Sequence, residues 1–98
     1  MNLFFYKLIL PRPTFAVDMT DLEKKLMQEH GAYWKNLTDK RIAVVVGPVF
    51  DPKCPWGMAV VEVDNEQAAH DLGANDPAVK GGLSFEVYPM GPGSMIRK

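Results

Sequence analysis

The spacing of apolar and polar positions changes several times along the chain, and each change marks an element. Residues 3–10 alternate Leu3, Phe5, Lys7 and Ile9 on one side with Phe4, Tyr6, Leu8 and Leu10 on the other. Aromatic and branched residues in period two predict a strand, here with both faces largely apolar. Pro11-Arg12-Pro13-Thr14 breaks that strand and opens a loop to about residue 19. Thr20-Asp21-Leu22-Glu23 then matches a capping box, in which Thr20 accepts from the Glu23 amide and Glu23 reaches back. The helix predicted from there to about residue 37 carries Leu22, Leu26, His30, Tyr33 and Leu37 at intervals of four, four, three and four, so that all five share one face.

Residues 41–50 predict a second strand, apolar on both faces through Ile42, Val44 and Val46 and through Ala43 and Val45. Gly47-Pro48 interrupts it, as expected at a bulge or a sheet edge. A loop over 51–57 leads to a third strand over 58–64, with Glu62 and Asp64 on its wetter face. Asn65 or Asp64 can cap a second helix over 66–74 that turns Ala68, Ala69 and Leu72 inward. Asn75-Asp76-Pro77 starts a further turn, Gly81-Gly82 stops it, and residues 83–90 form a fourth strand before a Gly/Pro/Ser-rich tail over 91–98.

The resulting order, β-α-β-β-α-β, is the ferredoxin-like α+β arrangement, an antiparallel sheet with two helices on one face and a single-domain core over about residues 3–90. Helices cover only one sheet face, yet the first two strands are apolar on both. A second copy is the economical cover, so a homodimer packed sheet to sheet is expected.

Composition narrows the classes of function. At 98 residues, 47% hydrophobic and 23% charged, the chain has the make-up of one compact domain. Eleven basic and twelve acidic residues are spread along it, with no basic stripe, so nucleic acid is not an expected partner. Cys54 is the only cysteine, which excludes an internal disulfide and makes a reducing, cytoplasmic setting the expectation. The apolar first ten residues lack a basic leader and a cleavage site, and no run approaches the ~20 residues that span a bilayer, so no membrane partner is expected.

Against this background His30 stands out, a titratable side chain on the face a helix turns toward its sheet. An imidazole there needs a partner or a cavity, because an unpaired buried polar group costs about 1–3 kcal/mol. A satisfied core histidine and a general acid/base in a pocket both fit that placement. Gly31 next to it removes a side chain, through close approach of a ligand or as a tolerated weak position. Asp76-Pro77 is a preferred helix start, and a capping carboxylate held in a fixed direction can also orient an imidazole. A His–carboxylate pair suffices for proton transfer without metal or cofactor. Tyr33, Phe5 and Pro48 are the expected substrate contacts. His70 is expected to face solvent, and Cys54 has no base placed beside it by any motif. No spacing among His30, His70, Cys54 and the carboxylates resembles a metal site.

Glu29-His30-Gly31-Ala32-Tyr33, Val46-Gly47-Pro48, Gly57 with Val61-Glu62-Val63, Glu66-Gln67-Ala68-Ala69, Asp76-Pro77-Ala78-Val79 and Phe85-Glu86-Val87-Tyr88-Pro89-Met90 together resemble the YciI-like (YCII-related) family over nearly the whole chain. The resemblance implies a ferredoxin-like fold that pairs as a dimeric α+β barrel, and a site built on histidine and aspartate, here His30 and Asp76. It implies small cyclic or aromatic-derived substrates. The expected function is therefore a cofactor-independent lyase or isomerase. A small-molecule-binding accessory protein with the same pocket is one alternative, and a monooxygenase of the dimeric α+β barrel class is another.

Overall fold

The computed structural model describes residues 2–97 and contains four strands and four helices: β1 (Asn2–Ile9), α1 (Phe15–Asp18), α2 (Asp21–Asp39), β2 (Ala43–Val49), β3 (Trp56–Val63), α3 (Glu66–Ala74), α4 (Pro77–Lys80) and β4 (Ser84–Pro89). The sheet order is β2-β3-β1-β4 and every pairing is antiparallel, the ferredoxin-like α+β topology. The two short helices, α1 and α4, lie inside segments whose sequences read as a loop and a turn. Four residues are too few to show a period, and the signal present is local: Pro77 at the first helical position for α4.

Strand β1 alternates as its sequence predicts. Phe4, Tyr6 and Leu8 are buried and meet Ala59 and Val61 of β3, Trp34 and Leu37 of α2, Ala69 of α3 and Ala78 of α4 in one core. Gly73 lets α3 settle on β4, since a Cβ there would overlap the Phe85 ring. The other sheet face carries no helix. On it Phe5 lies opposite Val60 and Tyr88, Lys7 opposite Met58 and Glu86, and Val45 opposite Val60.

One detail of the sequence reading is resolved and one corrected: of the bulge or sheet edge expected at Gly47-Pro48, the edge is what β2 forms. The irregularity of β2 falls between Ala43 and Val45, whereas Gly47 and Pro48 stay in register opposite Met58 and Gly57. Pro48 fits there because β2 is an edge strand and its missing N–H breaks no ladder. Leu22 is 67% exposed instead of inward. The first turn of α2 is engaged by Arg12, which bonds Glu23, and the inward stripe further along is Met27, His30, Trp34 and Leu37.

Both capping signals are realised. Thr20 and Glu23 form the reciprocal box on α2, and Asn65 accepts from Ala68 N–H on α3. Helix α2 ends in a Schellman turn: Ile42 N–H donates to Leu37 and Arg41 N–H to Thr38. Arg41 takes the left-handed position at φ 63°, where glycine is usual. Arg41→Gly is therefore expected to raise stability by about 0.5–1 kcal/mol, read as a higher urea midpoint at unchanged slope. An unchanged or lower midpoint would mean that the arginine side chain offsets its own backbone strain.

Candidate active site

His30 sits in the middle of α2 and Asp76 caps α4, and the fold brings them together. Asp76 has extended backbone (φ −62°, ψ 126°), and its Oδ1 accepts from Ala78 N–H at 2.9 Å. Gly82, at φ 114°, closes the short helix behind it with the same type of turn that ends α2. The carboxylate is thereby aimed at α2. His30 Nδ1 lies 3.0 Å from Oδ1 and 2.9 Å from Oδ2, and Oδ2 also accepts from Tyr6 O–H and Trp34 Nε1–H, each at 2.8 Å.

Asp76 is 0% exposed, so these partners decide its state. Burial alone pushes the carboxyl up; hydrogen bonds from His30 and Trp34, the His30 charge and the Ala78 N–H outweigh it and hold the group below the ordinary 3.8. An ionised carboxylate only accepts. The proton of a neutral His30 ring must then be on Nδ1, which leaves Nε2 with a free lone pair. The Tyr6 hydroxyl is driven far above the usual phenol range, by burial first and by the Asp76 charge second, so it stays a fixed donor.

His30 is 15% exposed, and its ring borders a cavity of about 360 Å³. The walls are almost wholly apolar, with Leu8, Phe15, Met27, Val46 and Pro48 among them. Since an engineered apolar void of ~150 Å³ takes up benzene, this volume holds a substituted single ring. Phe50, 80% exposed, stands at the mouth.

The segment over 11–19 forms one wall of the cavity and is fastened by Arg12. Its guanidinium bonds both Glu23 oxygens at 2.9 and 2.7 Å, Asp18 Oδ1 at 2.8 Å and the Asp18 carbonyl at 3.0 Å. The Arg12 bonds and the Thr20 amide hold the Glu23 carboxyl down to about 2. One glutamate thus completes the α2 capping box and anchors the cavity wall.

Of the residues expected at the site, His30 and Asp76 are in contact and Pro48 lines the cavity. Phe5 is not against this cavity: period two turns it to the opposite sheet face, where it packs edge-on against Trp56 at 6.0 Å. Tyr33 is turned aside as well; its hydroxyl donates to the Leu72 carbonyl at 2.6 Å and its ring flanks Trp34. Tyr6 and Trp34 do the work that sequence reasoning did not assign. Trp34 lies four residues after His30, one helical turn away on the same face, and that spacing was the available signal. Gly31 has open space around it, so nothing within the chain requires its small size. His70 is partly exposed beside Glu66, and the Cys54 thiol donates to the Pro55 carbonyl at 3.5 Å. Among the described residues no group of three His, Cys, Asp or Glu side chains converges on a metal position, and no helix is long and apolar enough to cross a membrane.

A ferredoxin-like sheet whose helical face holds a histidine and a buried aspartate over an apolar pocket defines a small α+β protein built around one cavity. This chain belongs to the YCII-related family, whose domain matches residues 4–91. No functionally curated protein matches it in sequence. Among solved structures it resembles the 5-chloro-2-hydroxyhydroquinone dehydrochlorinase of Burkholderia phenoliruptrix AC1100, in complex with 2,5-dihydroxybenzoquinone, at 22% identity and a TM-score of 0.65 over 92% of this chain and 95% of that one. At that identity the likeness is one of fold.

A depressed folded-state value means that the unfolded chain binds a proton which the folded one refuses. The stabilisation from ionised Asp76 is thus complete above the unfolded value and is lost as pH falls through the folded one. Glu23, Asp18 and Asp51 shift in the same direction, so the comparison needs a variant. Between about pH 5 and pH 2 the thermal midpoint is expected to fall more steeply in the wild type than in Asp76→Asn. Equal slopes would show that Asp76 is not ionised in the fold.

Proposed function

We propose that this chain is a proton-transfer enzyme of the lyase or isomerase type, acting on a small cyclic or aromatic-derived substrate. His30 is its base and Asp76 the residue that orients that base. The observation that carries the reading is the contact of Nδ1 with both Asp76 oxygens, which leaves Nε2 as a proton acceptor at the wall of an apolar cavity. In the reaction Nε2 takes a proton from a substrate O–H or C–H, and the electron pair released forms a new double bond. In an elimination that pair expels the leaving group; in an isomerisation the imidazolium returns the proton at another carbon. Asp76 stabilises the imidazolium in between, and the apolar walls keep water from competing for the proton. Proton, electron pair and leaving group all come from substrate and imidazole, so neither route draws on a cofactor. The dehydrochlorinase of similar fold supports elimination from a hydroxylated ring.

The test is chloride release from a chlorinated hydroxyhydroquinone under anaerobic conditions. Activity is expected in the wild type and a loss of about 10²–10⁴-fold in His30→Gln. A wild-type rate in that variant would sink the reading. Ligand-induced stabilisation with no product from this or related ring substrates would make the chain a binding protein instead.

We propose in addition that two copies pack through the helix-free sheet face, as in the dimeric α+β barrel class. Phe5, Met58, Val60 and Val45 make that face apolar, and Lys7 beside Glu86 provides opposite charges that a two-fold copy can match. Light scattering at micromolar concentration is expected to give twice the chain mass of 11.0 kDa. Val45→Glu, at a position 47% exposed in the single chain, is expected to halve that mass with the circular dichroism unchanged. A one-chain mass for the wild type would overturn the proposal.

A further inference from the structure

We infer that the ligand of this cavity enters uncharged, as a hydroxyl- or carbonyl-bearing ring without a carboxylate or phosphate group. The inference rests on the proton-transfer reading and sharpens it by naming what the site rejects.

Three observations carry it. No lysine or arginine lines the cavity. Its polar side chains are Tyr6, Trp34, Trp56 and His30; the Tyr6 O–H and Trp34 N–H both donate to Asp76, and the Trp56 N–H donates to Asp51. His30 Nε2 is therefore the side-chain polar atom left to meet a ligand, and with a neutral ring it accepts rather than donates. Arg12, in the segment that supplies the lining residues Phe15, Ala16 and Met19, is itself turned to Asp18 and Glu23.

Charge balance then separates two classes of ligand. With the imidazole neutral, the site before reaction holds one negative charge, that of Asp76. A neutral ring that gives its proton to Nε2 becomes an anion beside an imidazolium, so the net charge of the site is unchanged and the new charges form a pair. A ring that arrives as a carboxylate adds a second negative charge in an apolar enclosure with no cation to meet it, the arrangement that burial penalises most. Such a ligand fits only after His30 has been protonated from solvent, and that occupies the lone pair the reaction needs.

Two probes of nearly the same shape, meta-hydroxyacetophenone and meta-hydroxybenzoate, differ at one methyl or oxygen. Calorimetry and quenching of the tryptophans, which border the cavity, read their affinities at a pH of about 8, above the ordinary imidazole range. The ketone is expected to bind at least ~10-fold more tightly. Phe50→Arg, which sets a cation at the mouth on an exposed position, is expected to narrow that gap. Equal or tighter binding of the benzoate, a gap unmoved by Phe50→Arg, or no binding of either probe would each overturn the inference. The ¹⁵N shifts of His30 judge the underlying reading separately. A proton on Nδ1 upholds it whatever the probes do, and a proton on Nε2 removes it.

Discussion

One buried carboxylate organises the functional half of this molecule. Asp76 accepts from Tyr6 on β1, from His30 and Trp34 on α2 and from Ala78 in its own helix, so one side chain ties three elements together. A carboxylate so placed would be among the most expensive groups to bury if any of these donors were missing. With all of them present it stays ionised, and its ionisation fixes which nitrogen of His30 carries the proton. Structural and chemical roles are the same hydrogen bonds seen from two sides.

The cavity owes its form to elements on either side of that network. Helix α2 and the helical face of the sheet supply the permanent walls, and the segment over 11–19 is drawn against them by Arg12. Because Glu23 is held low by Arg12 and by the Thr20 amide, the clip remains charged on both sides through the neutral range. The unclad face of the same sheet carries Phe5 and Val60, neither of which lines the cavity.

Much of this was legible in the chain. Alternation placed Phe4, Tyr6 and Leu8 on the core side, and the Thr20 box, the Asn65 cap and the Asp76-Pro77 start each announced a helix by local chemistry that tertiary packing did not override. The ferredoxin-like order followed from counting elements. The misreadings share one cause, which is that a period identifies a face but not what stands opposite it. Leu22 obeys the helical spacing yet meets no strand, and Tyr33 obeys it yet bonds Leu72, while Trp34, slightly off the predicted stripe, reaches Asp76. Phe5 failed as a pocket residue for the converse reason, since alternation had already assigned it to the face away from Tyr6. Which donors gather on one carboxylate is a long-range fact that no local pattern encodes.

Those distances along the chain have a consequence for how the protein matures. Asp76 lies 70 residues from Tyr6, 46 from His30 and 42 from Trp34, while the wall fastened by Arg12 is closed by a partner only 11 residues away. The wall can loosen and re-form as a local fluctuation, leaving the pair beneath it intact. The pair itself comes into being only once the first strand, the long helix and the last crossover have all docked, late on any path that must close such large loops. A chain caught part-way therefore lacks the His30–Asp76 contact, and the base proposed here is oriented only on completion of the fold.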